Sequence, residues 1–383
     1  MKNNYNNKFT FQIGNEILEL NTLNQKMDEQ FESVYRSYYG NKPFDINLFK
    51  KSASSFFDES LDKKVHDRFF ENFTILWQRL MKNDSLFFAE QIWQLAAQIA
   101  KDWEVRNQSA NKIHKGAAYY FWAVSCILKE DLEKGFLLMH QALEEDKRNR
   151  SNELTSTPAY AFVKLDYKQQ HQYFIRKVHE IAEFLEDRLK MYRLSRDGNL
   201  SLDQLKSVFM DNMELVDQAF LFVYELAYVK KLLSETNQGL TQNAYGSILM
   251  MNVILTFILI IDNVIKQKYT NKDPYRQDFI NLLDHLSTRS SLIMDTNKLK
   301  AINKKANTDF EAIILDLLKS KSVFKNTKLK QIENDIGIVY TLRNSAAHRI
   351  RDRPFMHENF KQIVDSLFNI IFLSIEKLYV VKI

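Results

Sequence analysis

The sequence predicts an all-α protein, and three observations carry that prediction. Only 8 Gly and 4 Pro occur in 383 residues, whereas parallel α/β folds spend glycines at their strand–helix turns. Apolar residues recur at three- and four-residue spacing through most of the chain, which is the period of an amphipathic helix. The content of 45% apolar and 13% aromatic residues, with 28 Phe and 17 Tyr, is enough for packed cores and argues against disorder. A chain of this length exceeds one compact helical core, so two or three domains are expected.

Composition also narrows the function. A single cysteine, Cys126, excludes an intrachain disulfide framework and a thiolate metal cluster, and fits a reducing, cytoplasmic setting. The first twenty residues contain no apolar run of signal-peptide length, so secretion is not expected. The greasiest stretch, Leu249 to Ile261, is interrupted by Asn252 and Thr256 and closed by Asp262. It reads as a buried core helix too short to span a bilayer, and no membrane anchor is expected. The net charge of +5 is small. Its distribution says more: Lys319, Lys321, Lys325, Lys328 and Lys330 follow one another without an acid, and Arg349, Arg351 and Arg353 come soon after. That region is either a solvated lysine loop or a rim that attracts phosphate.

Along the chain, the first fifty residues are Asn-rich and read as irregular, with a turn at Asn41–Asp45. Firm helical patterning is expected from near Asp58. Helices are predicted over about 61–81, 86–105, 110–128, 131–146 and 167–194. Arg196-Asp197-Gly198-Asn199 is the expected boundary between a domain over 1–198 and one over 199–383, with Ser201 capping the next helix. The second domain reads as helices at about 202–235, 240–268, 273–288, 298–319, 328–352 and 357–380. No β-alternation persists long enough to predict a sheet.

The segment Tyr119 to Asp146, YYFWAVSCILKEDLEKGFLLMHQALEED, resembles a tetratricopeptide repeat in part. Ala123, Gly135 and Ala142 stand where two paired helices would touch, and Met139 fills the larger position between them. The likeness implies an irregular helix-pair array in the N-terminal half, the kind of surface that holds a protein or small-molecule regulator. A plain helical bundle satisfies the same pattern.

Several catalytic patterns are missing from the sequence: a Gly-rich phosphate loop, G-x-S-x-G, H-E-x-x-H and Cys–His zinc spacing. No cofactor or metal is therefore expected. His171 and His179 lie eight residues apart on one predicted helix and read as structural. The run Arg343-Asn344-Ser345-Ala346-Ala347-His348 stands out. The preceding helix has its seam at Leu329, Ile332, Ile336 and Val339, and the same spacing continues onto Arg343, Ala346 and Ile350. The pattern thus projects an arginine from an aliphatic seam, where it needs a carboxylate partner, a wet cleft or a partner subunit. Asp262 and Asp284 are the candidate partners.

Arg343-Asn344 followed by His348, near the end of a C-terminal helical bundle, resembles the R-x(4–6)-H motif of HEPN domains, a family of helical prokaryotic ribonucleases. In a chain of this composition an Arg with His five residues later arises about 0.3 times by chance, and the adjoining Asn lowers that to about 0.03. A second pair, Arg351 with His357, lacks the Asn and straddles the helix-ending Pro354. The resemblance covers the chain from about residue 200 or 240 onward. It implies a toxin or phage-defence endoribonuclease that cuts single-stranded RNA to 2′,3′-cyclic phosphate ends without a metal, with Arg343, Asn344 and His348 as catalytic residues. The chemistry suits the residues: His348 moves the 2′-hydroxyl proton, and the planar fork of Arg343 holds phosphate oxygens. Residues five apart on a helix point about 140° apart. Either the helix is distorted there or the groups meet across a two-fold axis, and the resemblance implies a homodimer through the C-terminal domain. Two other readings stand beside it: a non-catalytic helical adaptor, and a HEPN-fold nucleotide-binding or antitoxin-like module.

Overall fold

The computed structural model describes residues 8–13, 15–40, 43–59, 62–109, 112–269, 273, 277–290, 295–319, 330–346 and 354–380. The fold is essentially all-α, as the glycine-poor composition predicts. The exception lies where the sequence reads as irregular. Lys8–Ile13 (β1) and Glu16–Asn21 (β2) form an antiparallel hairpin with Phe9 opposite Leu20 and Phe11 opposite Leu18. Phe11, Leu18 and Leu20 face the core, while Ile17 and Glu19 face outward. That is the period-2 alternation of a half-buried strand, compressed into six residues. Asn72, fully buried, anchors the hairpin: it accepts from the Asn21 N–H at 2.8 Å and donates to the Asn21 carbonyl at 2.9 Å.

Helices also begin earlier than the pattern suggests. Gln25–Gly40 (α1) and Ile46–Glu59 (α2) precede Lys63–Lys82 (α3), Leu86–Arg106 (α4), Gly116–Leu128 (α5) and Leu132–Asn149 (α6). Phe31, Phe49, Phe69 and Phe73 come from α1, α2 and α3 and meet edge-to-face, with centroids 5.1–6.0 Å apart. This is the favourable geometry for aromatic quadrupoles. In the α5–α6 pair, a Cβ on Gly135 would lie 2.5 Å from Ile127 Cγ1 and 3.2 Å from the Ala123 carbonyl. The small residues read from the sequence therefore mark a real close approach.

Pro158–Val163 (α7) and Ile175–Arg196 (α8) follow, so His171 precedes the helix on which the pattern puts it. Then come Leu202–Leu205 (α9) with a π-helical turn at Lys206–Met210, Val216–Asn237 (α10), Ala244–Lys266 (α11), Phe279–Arg289 (α12), Thr296–Ala306 (α13), Phe310–Leu318 (α14), Lys330–Ala346 (α15) and Pro354–Ile375 (α16). Two expected single helices are split. The 202–235 helix is interrupted between Met210 and Val216, and the 298–319 helix at Asn307–Asp309, where the Asp309 carboxylate accepts from the Ala312 N–H and caps α14.

The chain forms two compact units, Met1–Phe162 with Tyr167–Lys177, and Val163–Asp166 with Val178–Ile383. The Arg196–Asn199 turn, expected as a boundary, lies inside the second unit. A Cβ on Gly198 would collide with the Tyr192 ring, and the Asn199 N–H donates to the buried Glu376 carboxylate at 2.9 Å. Tyr192 donates to the same oxygen at 3.0 Å. A polar, glycine-bearing turn looks like a linker in sequence, and here it is a packed corner.

Helix α11 is 23 residues, longer than the apolar stretch suggests, and is long and apolar enough to cross a membrane. In the structure it packs against α10, α15 and α16, and just over half of its apolar stretch is buried. Phe257 on α11 meets Phe368 on α16 at 4.9 Å and Phe222 on α10 at 6.4 Å. Beside this core, Glu225 on α10 is 3% exposed, and burial pushes its carboxyl up to about 8, with the Thr256 hydroxyl pulling it down by less. The folded carboxyl holds its proton above the ordinary value of 4.5. Its contribution to stability is therefore complete below about pH 4.5 and is lost as pH rises through about 8. Glu225→Gln, which fixes the neutral form, is expected to flatten that slope and to raise stability at about pH 9 by a few kcal/mol. Urea melts of both proteins at about pH 5 and pH 9 would show parallel curves if Glu225 were not the group responsible.

Candidate functional site

The site is built on α15. From Ile332 to Leu342 every residue of this helix is buried, including the polar Glu333, Asn334, Asp335 and Thr341. A helix covered on all sides and carrying three consecutive polar residues needs partners for them. Asp335 has its partners: Arg196 donates through Nε at 2.6 Å and Nη2 at 3.2 Å, and Asn369 on α16 donates at 3.0 Å. Burial pushes the Asp335 carboxyl up, against the pull of Arg196, Ser366 and Asn369. The fork from α8 thus clamps α15 from one side and α16 from the other. Sequence reasoning passes over this group. Its signal is the run Glu333-Asn334-Asp335 inside a helix whose apolar seam continues on both sides.

Arg343 opens the motif, whose described part runs to Ala346. The extrapolated seam puts it among buried aliphatics, and the structure corrects this: Arg343 is exposed, in the last turn of α15. The burial of α15 stops after Leu342 although the helix continues to Ala346, so position 343 emerges where the cover ends. The guanidinium stacks over the Phe279 ring of α12, 5.3 Å from its centroid, and Nη1 lies 3.4 Å from Asn344 Oδ1. Neither expected acid reaches it. Asp262 pairs with Lys266 one turn along α11, and Asp284 is exposed on α12. Among the described residues, Arg343 makes no ion pair. A cation held by a ring face and a neutral amide keeps its full charge and its fork for an incoming anion.

His348 lies outside the described residues, as do residues 320–329 of the lysine-rich segment and Arg349, Arg351 and Arg353. The structure therefore brings together Arg343 and Asn344 of the predicted triad. His357, the second histidine considered, is engaged elsewhere: its Nε2 lies 3.1 Å from the Ser247 hydroxyl and joins α16 to α11. His171 packs in an aromatic nest with Trp77 at 4.8 Å and Tyr173 at 5.5 Å, as a structural histidine should.

With this geometry in hand, comparison with known proteins adds no assignment: no protein-family model, curated protein or solved structure matches the chain.

The Arg196–Asp335 pair makes a definite prediction. Arg196→Met leaves a buried carboxylate without its cation and is expected to cost about 3–5 kcal/mol in urea unfolding. Arg196→Met combined with Asp335→Leu removes both charges and should recover most of that loss. A single variant as stable as wild type would show that the clamp does not hold α15.

Proposed function

We propose that this protein is a metal-independent endoribonuclease of the HEPN type, acting on single-stranded RNA as a toxin or phage-defence effector. One observation carries the reading: Arg343 is presented in the last turn of a helix buried from Ile332 to Leu342, steadied by Phe279 and Asn344, with no carboxylate neutralising it among the described residues. The motif supplies the rest. His348 takes the proton of the 2′-hydroxyl, the 2′-oxygen attacks phosphorus, and the 5′-oxygen leaves with a proton, giving a 2′,3′-cyclic phosphate and a 5′-hydroxyl. Arg343 binds the non-bridging oxygens as charge develops on them. DNA lacks the attacking hydroxyl and stays intact.

The reading includes a second copy of the chain. Residues Tyr245, Asn252 and Leu259 are exposed at seven-residue intervals along α11, with Ile248 and Leu255 half-buried between them. That is the spacing of a helix-pairing seam, and a single polar Asn within such a seam sets register between identical helices. A non-catalytic adaptor is the second reading, favoured by the close-packed α5–α6 pair in the first unit.

The test incubates labelled RNA in EDTA with wild type, Arg343→Ala and His348→Ala proteins. Each variant is expected to lose at least about 100-fold in rate. Mixing the two inactive variants should restore part of the activity if one cleft draws on both copies. Equal cleavage by all three proteins would end the ribonuclease reading, and an inert wild type bound to a protein partner would favour the adaptor. Leu259→Glu is expected to shift the mass in solution from dimer to monomer.

A further inference from the structure

Helices α2 and α4, both in the first unit, pack against each other and leave an open groove of about 440 Å³ along their seam. Lys50 and Lys51 on α2 line it with Ile99, Asp102, Val105 and Arg106 on α4. Ile99, Asp102 and Arg106 stand at three- and four-residue spacing, so α4 turns one stripe toward α2. The charges in the wall do not cancel. Lys50 lies 3.7 Å from the Asp102 carboxylate, to which the Gln98 amide also donates at 2.6 Å. The acids of α2 are engaged elsewhere: Asp45 caps its first turn, and Asp58 accepts from Trp103 Nε1 at 2.6 Å. Among the described residues Lys51 has no partner, and Arg106 meets only neutral groups. Its Nη2 donates to the buried Ser54 hydroxyl at 2.5 Å and its Nε to the Asp102 carbonyl at 3.2 Å, while Nη1 is left without an acceptor. Val105, beside this guanidinium, is 77% exposed, more than any other large apolar side chain among the described residues.

We propose that this groove docks an acidic peptide segment of a partner protein, in which an aliphatic side chain lies among glutamates or aspartates. Charge complementarity sets the sign of the occupant, since two cations of the wall, Lys51 and Arg106, have no acid of their own. The Arg106 fork is already aimed by Ser54 and the Asp102 carbonyl, so a carboxylate meets donors that are in place before it arrives. Val105 and Ile99 supply the apolar surface between the charges, and only a partner can take Val105 out of water. Nucleic acid fits less well. No aromatic side chain lines the groove for a base to stack on, and the Asp102 carboxylate opposes a run of phosphates. A peptide turns the same carboxylate to use, because its backbone N–H groups can donate to it. The volume lies within the roughly 300–1,000 Å³ of ligand pockets, which suits a short segment rather than the face of a domain. The groove shares no residue with the Arg343 site, so it stands independently of the ribonuclease reading.

Fluorescence anisotropy with the full chain tests the proposal, using three fluorescein-labelled peptides whose paired glutamates lie at different spacings from a central leucine. At least one peptide is expected to bind, and its glutamine counterpart to bind about tenfold more weakly or not at all. Arg106→Gln should weaken the acidic peptide about tenfold, because a charge-assisted hydrogen bond is lost. Val105→Ser, an exposed change that leaves every charge in place, should weaken it several-fold. Arg343→Ala should bind the peptide as wild type does, which separates this groove from the proposed catalytic site. A uridine pentanucleotide is expected not to displace the peptide from Arg343→Ala. Absence of binding by all three peptides at millimolar protein would overturn the proposal, as would equal affinity for the glutamine peptide or unchanged affinity in folded Arg106→Gln and Val105→Ser. Displacement by the pentanucleotide would reassign the groove to RNA, and self-association lost in Val105→Ser would reassign it to a second copy of the chain; either result overturns it too.

Discussion

The second unit depends on one buried interaction, the two-pronged grip of Arg196 on Asp335. The carboxylate is 2% exposed and the guanidinium 18%, so both groups have given up most of their hydration. Such a pair stabilises only when its geometry is good and its remaining lone pairs are occupied. Here a second donor, Asn369, occupies them. The pair therefore acts chiefly on arrangement. It sets α15 in one rotation and one register between α8 and α16, because any slip would strand a buried charge.

That constraint reaches the last turn of α15, from which Arg343 projects. A helix buried from Ile332 to Leu342 has little freedom to tilt or turn, and Arg343 follows directly on the buried stretch. Phe279 then receives the guanidinium and Asn344 steadies one nitrogen. In the reaction proposed above, a cation placed in this way would be organised before the phosphate arrives, as stabilisation of developing charge requires. The polar residues inside α15 and the arginine at its tip are parts of one arrangement: the first fix the helix, and the helix fixes the second.

Much of the fold is legible in the sequence because helices announce themselves locally. The bounds of α3, α4 and α6 fall within a few residues of those read from periodicity and caps. The hairpin escapes such a reading because six-residue strands offer only three inward positions each, too few to stand out among asparagines. The breaks after Met210 and before Phe310 escape it because the apolar spacing runs through them. Of the site, the identities Arg343 and Asn344 are legible, since spacing is a property of the chain. The exposure of Arg343 is not. A seam extrapolated along a helix assumes that the helix and its cover end together, and here the cover ends first.

The sequence alone therefore determined the class of structure, its helical segments, the small residues at the α5–α6 contact and the chemical types at the motif. These properties rest on composition and on contacts three or four residues apart. Tertiary structure alone decided that Arg196–Asn199 is a packed corner, that Asp335 takes its cation from a residue 139 positions earlier, and that Arg343 meets Phe279 rather than an acid. Those choices depend on which helix faces lie opposite one another, and no local pattern carries that information.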